Sequence, residues 1–437
     1  MTAQVEVVSQ LPARPRRGAT YSFARLSRGE VTYGSHGLHK YPAKFIPQFP
    51  RWGLTYDPDT PASIVLDPFC GSGTTLIEAG LLGSRAIGCD VSPLAVLITA
   101  AKCATTAHTW DIGLHLESFL AAAKRQSPKL ERTLTSNKGA ACLGMHHTWG
   151  NWFEPLQLAR LLAIREAIQS SACASDIKTF SLAVLSSVVK ACSYLNEDQI
   201  KVRFDHGKQL ADPYVVFRTA LTEAAAQQAA LSKEFAAAGS TFEAVLGSAS
   251  SIPLEPATVD RIITSPPYIN AVDYTMAHKY NMFVLGLLEP ESFKDHCREY
   301  IGVTERAVRV ADMASIPDAR NATANGIVRQ LGDQGTTTSR NRAYVVAQYF
   351  SGMHASFQSA YSVLKDGGLY VFVVGETNRI CGLQVPTAQI LKEQAQSVGF
   401  SVEVDVYHEL ANRSSMRLSR SATGGTIGRE QVYVFRK

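Results

Sequence analysis

Apolar positions along this chain fall into two alternating rhythms. In "ASIVLDPFCGSGTTLIEAGLLGSRAIGCDVSPLAVLITAAKCA", an apolar run from Ile64 to Leu66 leads into a glycine turn and a helical stretch from Thr75 to Leu82. A second apolar run, Ala86 to Cys89, leads into another helix after Pro93. Short apolar runs bounded by turn residues predict buried strands, and the longer spaced patterns between them predict helices. Strand and helix in strict alternation predict a parallel sheet.

The rhythm then changes. From about 105 to 240 strand signals nearly vanish, and stretches such as "PLQLARLLAIREAIQ" and "FRTALTEAAAQQAALSKEFAAA" carry helical spacing. Strand character returns in "FEAVLG" and "VDRIITSPPY", fades across about 276 to 348, and resumes after the helix "HASFQSAYSVL" and the turn "KDGG" with "LYVFVVG". A helix near "TAQILKEQAQSVG" and the strands "FSVEVDVYHEL" and "EQVYVFRK" then close the sheet with an antiparallel pair. The expected organisation is an irregular basic arm at 1–30, one sheet domain assembled from 31–104, 241–275 and 349–437, and helical inserts at 105–240 and 276–348. There is no internal repeat.

A length of 437 residues fits two or three structural units, and 46% hydrophobic with 19% charged residues is ordinary for a globular chain. No apolar run approaches the roughly 20 residues that span a bilayer, and the first residues lack the apolar core of a signal peptide, so a cytoplasmic location is expected. The eight cysteines are scattered without a CxxC pair, which fits unpaired thiols in a reducing compartment and gives no zinc site. A net charge of +5 says little, but its distribution says more. Arg14, Arg16, Arg17, Arg25 and Arg28 crowd the N-terminal arm, and Arg413, Arg417, Arg420 and Arg429 punctuate a Ser/Thr/Gly-rich segment. Nucleic-acid contact and a plain solvated segment account for these clusters equally well.

Candidate chemistry begins at "LDPFCGSGTTLIEAG", where Gly71 and Gly73 sit at a strand-to-helix turn. Glycines there let the backbone approach a ligand and present amides at a helix N-terminus. The third glycine of a dinucleotide fingerprint is missing, and no GK[ST] follows to cradle a triphosphate. Asp90 ends the next strand about 20 residues on, where a carboxylate can accept two ribose hydroxyls. The pairing points to an adenosine-containing ligand without pyrophosphate.

"DPFCGSGTT" taken with "TSPPY" at Thr264–Tyr268 resembles the amino-group DNA methyltransferases, which use S-adenosyl-L-methionine to modify the exocyclic nitrogen of cytosine or adenine. The resemblance implies a Rossmann-like class I methyltransferase sheet, mostly parallel with an antiparallel C-terminal pair. It further implies that Asp67, Pro68, Phe69, Gly71, Ser72, Gly73 and Thr74 contact the methionine half of the cofactor, with Asp90 and Val91 at the ribose. "HGLHKYPAKFIPQFP" is similar to the segment that completes the family's cofactor pocket, which adds Tyr41, Pro42, Ala43 and Lys44, with His39 and Phe45 nearby. Transfer of this kind needs no metal.

The second motif supplies a chemical reason for its residues. An exocyclic amine is a poor nucleophile because its lone pair is delocalised into the ring. If Ser265 Oγ and the Pro266 carbonyl accept the two amine hydrogens, the nitrogen moves toward tetrahedral geometry and its lone pair faces the methyl donor. Pro266 and Pro267 stiffen those acceptors, and the Tyr268 ring is expected to stack on a base swung out of the duplex. Methylation at a cytosine carbon would need a cysteine where Tyr268 stands. Within the family, serine at the first position leans toward N4-cytosine, and aspartate or asparagine toward N6-adenine.

The order departs from the usual one, since the glycine turn precedes SPPY with a helical insert between them. An acid after the third strand is also missing: "LGSASSIP" offers Ser248, with Glu255 and Asp260 beyond. The expected substrate is double-stranded DNA, read by the two inserts of an enzyme either solitary or paired with a restriction or defence partner encoded elsewhere. Candidate contacts are "HHTWGNWFEP", including Trp149 and Trp152, "SYLNEDQIKVRFDHGK", and Arg320, Arg329, Arg340 and Arg342 in an expected ordering loop. An RNA base methyltransferase and a non-catalytic cofactor-binding subunit remain open alternatives.

Overall fold

The computed structural model describes the chain except residues 1–4, 43–45, 61, 137–151, 198–201, 270–273, 303–306 and 411–427. Its centre is a sheet of parallel strands: β3 (Ile64–Asp67), β4 (Arg85–Asp90), β5 (Thr241–Leu246), β6 (Val259–Thr264) and β7 (Leu364–Gly375). β3 pairs with β4 on one side and β6 on the other, β4 continues to β5, and β6 continues to β7. β11 (Arg429–Arg436) runs antiparallel between β7 and β10 (Ser401–Glu409). This is the Rossmann-like sheet with an antiparallel C-terminal pair that the sequence predicts.

The order matters for function. Progress from β3 to β4 to β5 goes one way, and β6 then returns to the opposite side of β3. Chain reversals of this kind leave a crevice outside the carboxyl ends of the two strands, because the connections on either side leave in opposite directions. Here the crevice lies between the ends of β3 and β6. The strands that define it are anchored by burial: all six residues of β6 are buried. Ile262 and Ile263 are fully enclosed, each stabilising the sheet by about 1.5–3 kcal/mol.

Helices α3 (Thr74–Leu81) and α4 (Pro93–Lys102) follow β3 and β4. The first insert is helical, as its pattern predicts: α5 (Ile112–Thr135), α6 (Pro155–Ser170), α7 (Ser175–Val188) and α8 (Pro213–Ala238). Its core, built from Phe119, Phe180, Leu185 and Phe217, is continuous with Leu94 and Ile98 of α4, so the insert is fastened to the sheet domain. Gly239, at φ +72°, stops α8 in a left-handed turn and delivers the chain to β5.

Three expectations change in the structure. The arm at 1–30 is not wholly irregular: β1 (Val5–Val7) and β2 (Thr20–Ser22) extend the sheet beyond β10. They are held by buried Leu11, Tyr21 and Phe23 and by a Trp52 Nε1 bond to the Pro12 carbonyl, contacts that no short-range pattern reveals. The "KDGG" turn lies inside β7 as an outward loop, since Val259 pairs with Leu364 while Arg261 pairs with Leu369. In place of the expected ordering loop, Arg329, Arg340 and Arg342 sit on α12 (Ala322–Asp333) and α13 (Thr337–Val363), whose buried stripe includes Ile327, Leu331, Val346 and Phe350. The second insert also contains α9 (Tyr274–Leu285), α10 (Phe293–Glu299) and α11 (Val310–Ala314).

Candidate active site

A cleft opens at the crevice between β3 and β6. It is lined by Asp67, Pro68, Phe69, Gly71, Ser72 and Thr74 from the glycine turn, by Asp90 and Val91 after β4, and by Ser265 and Pro267 after β6. Tyr41 and Pro42 close it from upstream. Two motifs far apart in sequence therefore share one cavity. Ala43, Lys44, Phe45, Trp149, Arg413, Arg417 and Arg420 lie outside the described residues.

The turn has its shape because of its glycines. Gly71 and Gly73 sit at φ +50° and +77°, a region that costs other residues strain. Space is also short: a Cβ on Gly73 would meet Thr99 at 3.1 Å, and one on Gly71 would meet the Tyr41 ring at 3.2 Å. Thr99 Oγ1 and Lys102 Nζ donate to the carbonyls of Gly71 and Ser72, at 3.2 and 3.0 Å, and hold the turn from below. The Ser72 hydroxyl is buried on the cleft wall without a hydrogen-bond partner. Buried side-chain polar groups in folded proteins are for the most part hydrogen-bonded, which sets this hydroxyl apart.

Asp90 is tied into the same turn. Its carboxylate accepts the Gly71 amide at 2.9 Å with one oxygen and the Ser92 amide at 2.9 Å with the other. Each oxygen keeps a lone pair for a further donor. Burial pushes the Asp90 carboxyl up to about 6, against the downward pull of the Ser92 and Gly71 amides. Asp67 is likewise pushed to about 6 by burial, with the Thr264 hydroxyl opposing the shift.

The two motifs are stapled side by side. Thr264 Oγ1 donates to Asp67 Oδ1 at 2.5 Å, and Thr75 Oγ1 donates to the Ile263 carbonyl at 3.1 Å. Ser265 follows Thr264 directly, so its position is set from β3. Pro266 is buried, and Pro267 half-buried. Tyr268 is only 6% exposed and its hydroxyl donates to Glu430 Oε1 at 2.7 Å, so its ring is packed in the core beside Ile269 and Phe372. In this arrangement the ring presents no open face to a base.

Other wall residues went unnoticed in the sequence. Tyr274, at the start of α9, and Glu299, Tyr300 and Ile301, at the end of α10, line the cleft from the second insert, and Ala249 joins the anticipated Ser248. Tyr41 stacks on His278 with ring centroids 4.8 Å apart, and the Tyr274 ring lies 6.4 Å from that of Tyr41 at an interplanar angle of 30°. The His296 ring bridges Glu299 at 3.0 Å and the Tyr300 hydroxyl at 3.2 Å. Tyr274 lies within "TSPPYINAVDY", but α10 reaches the cleft only through the packing of its insert, for which the local pattern carries no signal.

Comparison with known proteins finds sequence relatives. A family model described as DNA methylase matches residues 58–101, the stretch that holds the glycine turn and Asp90. Type II methyltransferase M.BsoBI of Geobacillus stearothermophilus is 22% identical over 412 residues, 82% of this chain and 77% of that protein. Type II methyltransferase M.MjaII of Methanocaldococcus jannaschii is 42% identical over 81 residues, 18% of this chain and 15% of its own length. A tRNA (guanine(10)-N2)-dimethyltransferase of the same organism is 46% identical over 56 residues, 12% of this chain and 16% of its own.

Proposed function

We propose that this chain is an S-adenosylmethionine-dependent amino-group DNA methyltransferase that methylates the exocyclic amine of a base in double-stranded DNA, at N4 of cytosine. The observation that carries this reading is the shared cleft of Gly71 and Ser265. The serine that opens the SPPY motif is the reason for choosing cytosine over N6 of adenine.

The residues of the glycine turn fit the cofactor. The orphaned Ser72 hydroxyl and the exposed lone pairs of Asp90 would take polar groups of the ligand, Asp90 accepting the ribose hydroxyls, while Pro68 and Phe69 supply apolar wall. When bound, S-adenosylmethionine supplies an electrophilic methyl on a positively charged sulfur. Across the cleft, Ser265 Oγ and the Pro266 carbonyl would accept the two hydrogens of the target amine, which localises its lone pair. Pro266 and Pro267 restrict the backbone, so that little reorganisation accompanies the reaction.

The helical insert and the second insert are the proposed DNA-reading surfaces, because the sheet itself is covered by α3, α4 and the insert cores. A restriction partner is proposed by analogy with the Type II methyltransferases named above. A second reading, an RNA base substrate, draws on the tRNA dimethyltransferase, whose match is confined to a short stretch. Incubation with methyl-labelled cofactor and either duplex DNA or RNA, followed by nucleoside mass spectrometry, decides between them. Label in DNA as N4-methylcytosine supports the proposal, N6-methyladenine corrects the base, and label in RNA alone overturns it.

A further inference from the structure

Part of the cleft wall does not come from the sheet. Beside Asp90 the cleft is lined by Ser248 and Ala249, in the turn after β5, and by Glu299, Tyr300 and Ile301, at the end of α10. The Gly247 amide donates to the Asp90 carbonyl at 3.0 Å, which sets the turn after β5 directly against the end of β4.

Helix α13 brings these two stretches together. Ser250 Oγ donates to the Gly352 carbonyl at 3.4 Å, and Ile301 packs on the same glycine, where a Cβ would come within 3.0 Å of Ile301 Cγ1. One helical turn earlier, Gln348 donates from Nε2 to the Tyr300 carbonyl at 3.3 Å and accepts the Gly302 amide on Oε1 at 3.1 Å. One helix face thus fixes residues 300–302 next to the turn after β5. The Glu299 side chain is set by the same strip: the His296 ring, 7% exposed, meets Glu299 Oε2 through Nδ1 at 3.0 Å and the Tyr300 hydroxyl through Nε2 at 3.2 Å.

Strand order says which part of a ligand lies here. From Ser265 at the end of β6 the sheet runs to the glycine turn after β3, to Asp90 at the end of β4, and then to β5. A ligand with its ribose on Asp90 therefore has its base between the turn after β5 and the strip from α10. Adenine brings an exocyclic amine, a donor that needs an acceptor when it leaves water. Ser248 is poorly suited, since its Oγ already accepts the Ser250 amide at 3.2 Å and carries no charge. A carboxylate has about four acceptor positions and makes the stronger, charge-assisted bond, so one contact with His296 leaves Glu299 able to accept more. We propose that Glu299 accepts the adenine amine of the cofactor, so that the base of the methyl donor is read by the second insert and not by the loop after β5. The proposal rests on the S-adenosylmethionine reading and supplies the acid that "LGSASSIP" lacks.

The test compares two ligands by calorimetry: S-adenosylhomocysteine, and S-inosylhomocysteine, in which a carbonyl replaces the amine. A carboxylate repels that carbonyl, so wild type should bind the adenosyl ligand about 30-fold or more tightly than the inosyl one. Glutamine can turn its own amide N–H toward the carbonyl, so Glu299→Gln should bind the inosyl ligand several-fold better than wild type does, with the ratio falling to about fivefold or less. A gain of binding cannot come from a misfolded protein, and the Glu299 side chain is 61% exposed, so the exchange leaves the core intact. Asp90→Asn should weaken both ligands alike and leave the ratio unchanged. A wild-type ratio that persists in Glu299→Gln, or one that collapses in Ser248→Ala instead, overturns the proposal while binding of S-adenosylhomocysteine leaves the cofactor reading standing. Wild-type protein that binds neither ligand overturns both.

Discussion

Thr264 donates a 2.5 Å hydrogen bond to Asp67, joining the last residue of β6 to the last residue of β3. One end of this bond belongs to the glycine turn and the other immediately precedes Ser265. The two walls of the cleft are thus joined by this buried contact together with the Thr75 bond to the Ile263 carbonyl, and the parallel pairing of Val65 with Arg261 and Leu66 with Ile262 beneath them keeps the two strands in register.

Removing that bond should loosen both halves. Thr264→Val preserves shape but removes one of the two donors to Asp67 Oδ1, leaving the Phe69 amide at 3.1 Å, a loss of about 0.5–1.5 kcal/mol in folding stability. Urea denaturation measures the stability change, and methyl transfer should fall with it because Ser265 is no longer registered against β3. Unchanged stability would show that the contact contributes nothing.

Gly73→Ala tests the shape of the turn. The alanine Cβ would meet Thr99 at 3.1 Å at a backbone φ of +77°, so strain and crowding add at one position. A stability loss of about 1–3 kcal/mol is expected, together with a large loss of S-adenosylhomocysteine affinity by calorimetry. Wild-type affinity in this variant would mean that the turn is not where the cofactor docks.

The buried carboxyls give the site a pH dependence whose sign follows from burial. Asp90 titrates near 6 in the folded protein against an ordinary value of 3.8, so holding it ionised costs folding free energy. The stability this group contributes is complete below about pH 4 and is lost as pH rises through about 6. On the proposed reading cofactor affinity runs the other way, since ribose hydroxyls would donate to the Asp90 carboxylate. Affinity should weaken about tenfold between pH 7 and pH 5, and Asp90→Asn should bind weakly with a flatter profile. Calorimetric titrations across that range check both. An affinity that rises on acidification would contradict the assignment.

The strands and the glycine turn were legible in the sequence because each is a local pattern: apolar runs of strand length, glycines where the backbone must turn left-handed, and an acid at the next strand end. The Ser-Pro-Pro-Tyr motif was legible as the stop after a buried strand, since its prolines follow β6 directly. Its geometric partner was not, because Glu430 and His408 reach Tyr268 only after β10 and β11 fold back beside β7. Tyr300 and Glu299 escaped notice for a similar reason, since α10 reaches the cleft by packing of an insert whose apolar pattern specifies a helix and no address. The arm failed in the opposite sense: its arginines suggested an exposed segment, while the few apolar residues among them, Leu11, Tyr21 and Phe23, decided its fate by burial.

The central claim is that a methyl donor held at the glycine turn meets a base amine held by Ser265. Methyl transfer to DNA by wild type and Ser265→Ala, with the product nucleoside identified by mass spectrometry and S-adenosylhomocysteine affinity measured alongside, addresses it most directly. The account predicts a methyl on an exocyclic nitrogen, transfer reduced on the order of 100-fold in Ser265→Ala, and unchanged affinity. A methyl on ring carbon, or undiminished transfer by Ser265→Ala, would contradict it.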